Sequence, residues 1–216
     1  IFTGVKRLTV VSPSKWLVQE FSSSFLHDYP AMVVNNGIDT SVFHPDYENK
    51  KRVKDEMGVS DKKILLSVAS GWTDLKKIDD FIRLSQMIDD QYVIVLVGGM
   101  TPATEEKLPD NIIHIPRTEN IRQLAEIYNA ADVFINLTRC DTYPTVNLEA
   151  AACGTPVITY DVGGSTESAI EFGGIAVKRD DLNGIVDAIH RNPKRISPDL
   201  NKIDKKNAMQ KYVKMY

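Results

Sequence analysis

The chain has 216 residues, a net charge of −3, and 43% hydrophobic against 25% charged residues. That composition belongs to a folded globular chain and excludes a disordered one. The lack of a global basic field excludes charge-driven recruitment of nucleic acid.

Charge is unevenly placed, with eight Lys or Arg against two Asp between residues 191 and 216. Two cysteines, Cys140 and Cys153, are too few for a disulfide framework and point to a reducing, cytosolic setting. The four His and two Cys show no metal-ligand spacing, so no metal is expected. No run approaches the roughly 18 apolar residues of a membrane span. The chain opens on Ile1 rather than Met, which reads as a piece of something longer.

In chain order, short apolar and β-branched runs predict strands at 8–11, 31–34, 64–68, 92–97, 112–115, 133–136 and 156–159. Their near-continuous apolar interiors, such as ILLSV and YVIVLV, suit strands covered on both faces, as in a parallel sheet. Helical patterns fill the gaps at 14–24, 50–57, 78–88, 121–130, 145–152 and 182–189. This alternation predicts an α/β fold with a Rossmann-like, doubly wound parallel sheet. The turn-rich VVNNGIDTSVFHP joins a short opening unit, 1–45, to a main domain at 46–200, and 201–216 reads as a basic amphipathic helix.

Ligands of open α/β sheets bind outside the carboxyl ends of the strands, so the loops after each strand hold the candidates. After 64–68, Gly71 permits a tight turn, Trp72 can stack or pack, and Lys76 and Lys77 stand at a helix start. There they serve an anion or are merely solvated. Gly98 and Gly99 allow a ligand close to the backbone, or form a plain turn. In PRTEN, capping explains Thr118 and Asn120 but leaves Arg117 for a phosphate or a base edge.

The densest stretch follows 133–136. Pro144 suits a first helical turn, which leaves the backbone N–H groups of Thr145, Val146 and Asn147 as a diphosphate cradle. Glu149, among small apolar residues, needs a partner such as a ribose or sugar diol, or else bonds only backbone. Asp141 precedes it by eight positions, as a second ligand or a cap. Gly163 and Gly164 open another helix that closes one side of the site. Cys153 reads as a small core residue, because no His lies near it in sequence.

LEAAACGTPVITYDVGGSTE resembles the signature of GT-B-fold glycosyltransferases of family four, the large retaining class also described as glycosyl transferases group 1. NNGIDTSVFHP, the lysine after the 64–68 strand and IYNAADVFINLT extend the resemblance, in order, over nearly the whole chain. Such proteins usually carry Glu, seven residues, then Glu; here the pair reads Asp141 and Glu149. They commonly have Arg where this chain has Ser70-Gly71-Trp72.

The resemblance implies the donor-binding half of such an enzyme plus the end of the other half, with the acceptor domain absent. It implies a nucleotide-diphosphate sugar as donor and no metal or other cofactor. Glu149 would hold the ribose and Asp141 the donor sugar. The Thr145–Asn147 backbone and Lys76 would take the diphosphate, with Lys77 or Arg117 as a second cation, and Thr118 would flank the base. The implied activity is hexosyl transfer with retention to a saccharide or lipid-linked acceptor, in surface polysaccharide or glycoconjugate synthesis, with this chain alone inactive. The basic 201–216 helix would either dock on its own domain or touch the inner face of a membrane peripherally. Two alternatives share the fold: a non-catalytic nucleotide-sugar-binding module and a nucleotide-sugar epimerase.

Overall fold

The computed structural model describes residues 4–215, so residues 1–3 of the opening unit and Tyr216 of the basic segment lie outside the described residues. Six strands make the main sheet: β3 (Lys63–Gly71), β4 (Tyr92–Gly99), β5 (Ile112–Ile115), β6 (Val133–Asn136), β7 (Val157–Tyr160) and β8 (Ile175–Val177). Their spatial order is β5-β4-β3-β6-β7-β8, and every neighbouring pair is parallel. The expected doubly wound sheet is thus the observed one. A separate two-stranded parallel sheet, β1 (Val10–Ser12) with β2 (Ala31–Val33), is connected by α1 (Lys15–Phe21).

The apolar runs are buried on both faces, as their composition requires. On β3, Ile64 and Leu66 face one core, which they share with Tyr128 of α5 (Ile121–Ala130) and Leu148 of α6 (Thr145–Ala152). Leu65, between them, faces the other core with Phe81 of α3 (Ile78–Ser85) and Ile185 of α8 (Leu182–His190). Burying each of these side chains contributes about 1.5–3 kcal/mol, which is what holds the helices to both faces. α2 (Lys50–Glu56) lies beside α5. Its Lys50 and Lys54 bond Asp132 at 2.8 and 3.0 Å, and Asp132 also accepts from the Ile64 N–H at 2.9 Å. Burial works against the Asp132 charge, but these three bonds hold its carboxyl below the usual range.

Several elements differ from expectation. The 78–88 helix stops at Ser85, because Gln86 and Met87 bond back only three residues, to Arg83 and Leu84. β8 and the short α4 (Pro102–Glu105) were not expected; three or four residues carry no readable periodicity. α7 (Ser165–Ile170) is the helix that the Gly163-Gly164 pair opens. The basic segment is broken at Asp204 into α9 (Leu200–Ile203) and α10 (Lys205–Val213). It docks on the linker: Ile38 accepts from the Lys205 N–H at 2.8 Å, and Lys205 pairs with Asp39 at 2.6 Å. Met209 and Val213 remain exposed. Among the described residues no helix is long and apolar enough to cross a membrane.

Candidate functional site

From β3 the chain runs outward through β4 to β5, then returns to β6 on the other side of β3 and runs outward again through β7 to β8. The loops leaving β3 and β6 therefore diverge, and a crevice opens between them at the carboxyl end of the sheet. A cleft of about 360 Å³ lies there, walled by Val68, Ala69, Ser70 and Lys76 from the β3 side and by residues 141–146 from the β6 side, with Asn36 of the linker closing it. Four larger hollows, of about 400 to 1000 Å³, lie away from the switch point, the two largest beside β5 and beside β1.

Two charges meet in the cleft. Lys76 ends a 3₁₀ turn, Asp74–Lys76, and its Nζ lies 3.3 Å from Oδ2 of Asp141. Each of these side chains is about three-quarters buried, at 26% and 23% exposure. Opposite them α6 begins at Pro144, which has φ −65° and no side-chain cap. The Asn147 N–H is already bonded to the Pro144 carbonyl at 3.3 Å, whereas among the described residues the N–H groups of Thr145 and Val146 have no partner. Two donors at a helix N-terminus, beside a lysine, form an anion cradle.

Glu149 stands one turn behind that wall. Its Oε2 accepts from the Tyr128 hydroxyl at 2.9 Å, and the Thr145 hydroxyl also bonds it. Burial raises the Glu149 carboxyl above its usual range, and the two hydroxyls offset this only in part. Burial likewise pushes the Cys153 thiol up to about 12, so Cys153 is an inert core residue, as expected.

The Asp141 loop is braced from behind. Gly164 donates its N–H to the Asp141 carbonyl at 2.9 Å. A Cβ on Gly163 would lie 2.4 Å from the Asp141 oxygen, and one on Gly164 would lie 1.8 Å from the Thr142 oxygen, so only glycine fits at either position. Gly98 performs the same role under the β3 side: at φ +127° its Cβ would meet the Ala69 oxygen at 1.8 Å, where β3 bulges between Val68 and Gly71. Asn36 Nδ2 donates to the Tyr143 carbonyl at 3.0 Å and ties the linker to the same loop.

The structure thus gathers Lys76, Asp141, Thr145 and Val146 in one cleft. Gly71 ends β3 just past the cleft-lining Ser70, with only the Gly99 oxygen near its Cβ position, at 3.8 Å. Five expected ligands are elsewhere. Trp72 is 5% exposed, because the β3 bulge turns its ring inward, edge-on to Phe81 at 5.4 Å. Lys77 caps α3 in the left-handed conformation, φ 50°, and its ammonium bonds Asp180 and, at 3.0 Å, Asp80. Burial opposes that charge, but the two carboxylates hold it above the usual lysine range. Asn147 is buried, its side chain bonded to Asn136 and Ser168 at 2.9 Å. Arg117, exposed, and Thr118, half-buried, follow β5, two strands from β3 and so roughly 10 Å along the sheet. Asn36, Thr142 and Tyr143 join the cleft unforeseen: turn chemistry marked Asn36, but only the fold brings it to residue 143.

Comparison with known proteins bears on the family and the fold. Residues 62–192 match the model of the family described as glycosyl transferases group 1. The alpha-galactosylglucosyldiacylglycerol synthase of Streptococcus pneumoniae is 26% identical over 172 residues, covering 74% of this chain and 45% of its own. The lipopolysaccharide core biosynthesis mannosyltransferase LpsB of Rhizobium meliloti is 27% identical over 213 residues, 87% of this chain and 60% of its own. The chain spans about half the length of the curated relatives it matches. Among solved structures, a glycosyltransferase from Rickettsia africae ESF-5 superposes with a TM-score of 0.81 at 18% identity, over 96% of this chain and 62% of that one. Anabaena Alr3699/HepE, solved with UDP and glucose, gives 0.79 at 15% identity over the same shares. At such identities the likeness is one of fold, the parallel α/β half of GT-B glycosyltransferases. With more than half of its length matched by the family model, the chain belongs to the glycosyl transferases group 1 family.

Proposed function

We propose that this chain is the donor-binding part of a glycosyltransferase that moves a sugar, with retention, from a nucleotide-diphosphate sugar to an acceptor hydroxyl in surface polysaccharide or glycoconjugate synthesis. The observation that carries the reading is the cleft at the β3/β6 switch point, where Lys76 and the free Thr145 and Val146 N–H groups face one space. The relatives named as a glycolipid synthase and a lipopolysaccharide mannosyltransferase support it.

In this reading the diphosphate sits against the α6 N-terminus. As the sugar–phosphate bond breaks, charge grows on the leaving diphosphate, and Lys76 with the two amides stabilises it without rearrangement. Asp141 exchanges its bond with Lys76 for the sugar hydroxyls, which frees the ammonium for phosphate. Glu149 takes the ribose diol at the edge of the cleft, where its raised carboxyl gains two donors. The acceptor hydroxyl attacks from the face the diphosphate leaves. The acceptor is held by a part of the protein outside this chain, so the chain alone binds donor and transfers nothing.

The test is a calorimetric titration of the chain with UDP, GDP and ADP, with Glu149→Ala as the control. Binding of one nucleotide, lost in the variant, is expected. Failure of all three to bind overturns the reading, and sugar transfer by the chain alone overturns its inactivity.

A further inference from the structure

A diphosphate brings two ionised phosphates into a cleft whose own charges, Lys76 and Asp141, cancel. Lys77 adds nothing, because Asp80 and Asp180 already hold its ammonium. The cleft therefore needs a further cation within reach.

We propose that Arg139 is that cation, a phosphate-contacting residue of the donor site. This inference rests on the nucleotide-sugar reading above and extends it. Arg139 lies on the loop leaving β6, two residues before Asp141, and it is exposed. Its backbone N–H donates to the Leu75 carbonyl at 2.9 Å, and its Nε donates to the Asp74 carbonyl at 2.9 Å. The first bond fixes the loop and the second the guanidinium to the 3₁₀ turn that ends in Lys76, so the two cations share one mount beside the cleft walls.

The Nε bond uses one of five donors and leaves both terminal amines open. Among the described residues no carboxylate pairs with Arg139; the bond to Asp74 is to its carbonyl, not its carboxylate. A guanidinium held by one edge with its other edge free is preset for two parallel bonds to a phosphate. Of the other exposed arginines beyond the strand ends, Arg117 is two strands away on the β5 side, and Arg179, after β8, pairs with Asp180 at 3.4 Å.

The experiment titrates the chain and its Arg139→Gln and Arg139→Lys variants with UDP, UMP and uridine, and with GDP and GMP, alongside thermal melts. Glutamine retains an N–H for the Asp74 carbonyl, so the variant loses charge with least damage to the turn. Arg139→Gln should weaken the diphosphate about tenfold and the monophosphate less than twofold, and should flatten the salt dependence of diphosphate affinity. Arg139→Lys should recover part of the loss. Equal weakening of diphosphate, monophosphate and nucleoside would assign Arg139 a purely structural role and overturn the proposal, as would unchanged diphosphate affinity. If the unaltered chain binds none of these probes, it is the nucleotide-sugar reading that fails, and the proposal falls with it.

Discussion

Replacing Gly164 with alanine puts a methyl group where the Asp141 loop already is. The new Cβ would lie 1.8 Å from the Thr142 oxygen, 2.6 Å from its carbon and 3.0 Å from Cβ of Ser14. Ordinary carbon contacts begin near 3.4 Å, so the loop must retreat by about 1.5 Å. Neither obstacle can simply rotate away, since one is backbone and the other a Ser14 side chain with no solvent exposure. Overpacking of this kind costs about 1–3 kcal/mol. Retreat also lengthens the 2.9 Å bond from Gly164 to the Asp141 carbonyl, which adds about 1 kcal/mol. For a chain of this size that is a drop in Tm of roughly 5–12 °C. The functional effect is larger, because the same shift moves Asp141, the proposed sugar ligand, by more than the roughly 1 Å that positioning tolerates. Scanning calorimetry reads the first effect, and titration with UDP-glucose or GDP-mannose, whose sugar Asp141 would hold, the second, with at least tenfold weaker binding expected. Gly99→Ala is the control: its Cβ meets only the Ser70 oxygen, at 3.8 Å, and it should cost less than about 0.5 kcal/mol. A Gly164→Ala protein with unchanged Tm and affinity would refute the bracing of Asp141 by α7.

Glu149→Gln should separate stability from binding. Burial raises the folded carboxyl above its unfolded value, so its stabilising contribution is full below about 4.5 and fades as pH climbs through the folded value. The variant should melt at or above the parent at pH 7, lose that advantage toward pH 4, and bind nucleotide less well at both. Asp132→Asn has the opposite sign: the folded carboxyl is lowered, so its contribution is present above 3.8 and disappears as pH falls below that. Urea unfolding should show a loss of about 1–3 kcal/mol at pH 7, discounted for the partial exposure of the Lys50–Asp132 pair, and a much smaller difference at pH 2.5. Glu167 accepts from the Lys15 and Trp16 N–H groups at 2.9 and 2.6 Å, capping α1 from α7. Glu167→Ala should speed hydrogen exchange at those two amides and cost about 1–2 kcal/mol.

How much of this was legible differs by scale. The parallel sheet was readable because its interior strands are apolar throughout, as ILLSV and YVIVLV are, and such runs need cover on both faces. β8 was not, because Ile175–Val177 is three residues long and only half-buried until Val177. The α6 cradle was readable from Pro144 and the residues after it, yet its third donor was lost to a bond that the first turn makes with itself, Asn147 to Pro144. Trp72 and Lys77 were misplaced for one shared reason. Both follow β3 at the carboxyl end of the sheet, where a ligand belongs, but the bulge before Gly71 and the left-handed turn at Lys77 rotate them away from it. A local pattern locates a loop; it does not give the direction in which each side chain leaves it. The Lys76–Asp141 pair lies deeper still, because its members are 65 positions apart and meet only through the β3–β6 pairing.

The site's residues contribute little to the stability of the fold itself, and that is the physical link between fold and function. Two amides at the start of α6 have no protein acceptor, Glu149 carries a charge that burial opposes, and Gly163 and Gly164 give up backbone entropy to brace one loop. None of these helps the sheet, whose cores are complete without them. Each becomes favourable with one kind of occupant, since an anion at the helix start satisfies the amides and a pair of hydroxyls satisfies Glu149. A purely structural switch point would be selected to remove such costs with apolar side chains. In the proposed reading, the unpaired amides beside Lys76 and the loop braced by Gly163 and Gly164 mark this end of the sheet as a donor site rather than a well-packed end of a Rossmann-like domain.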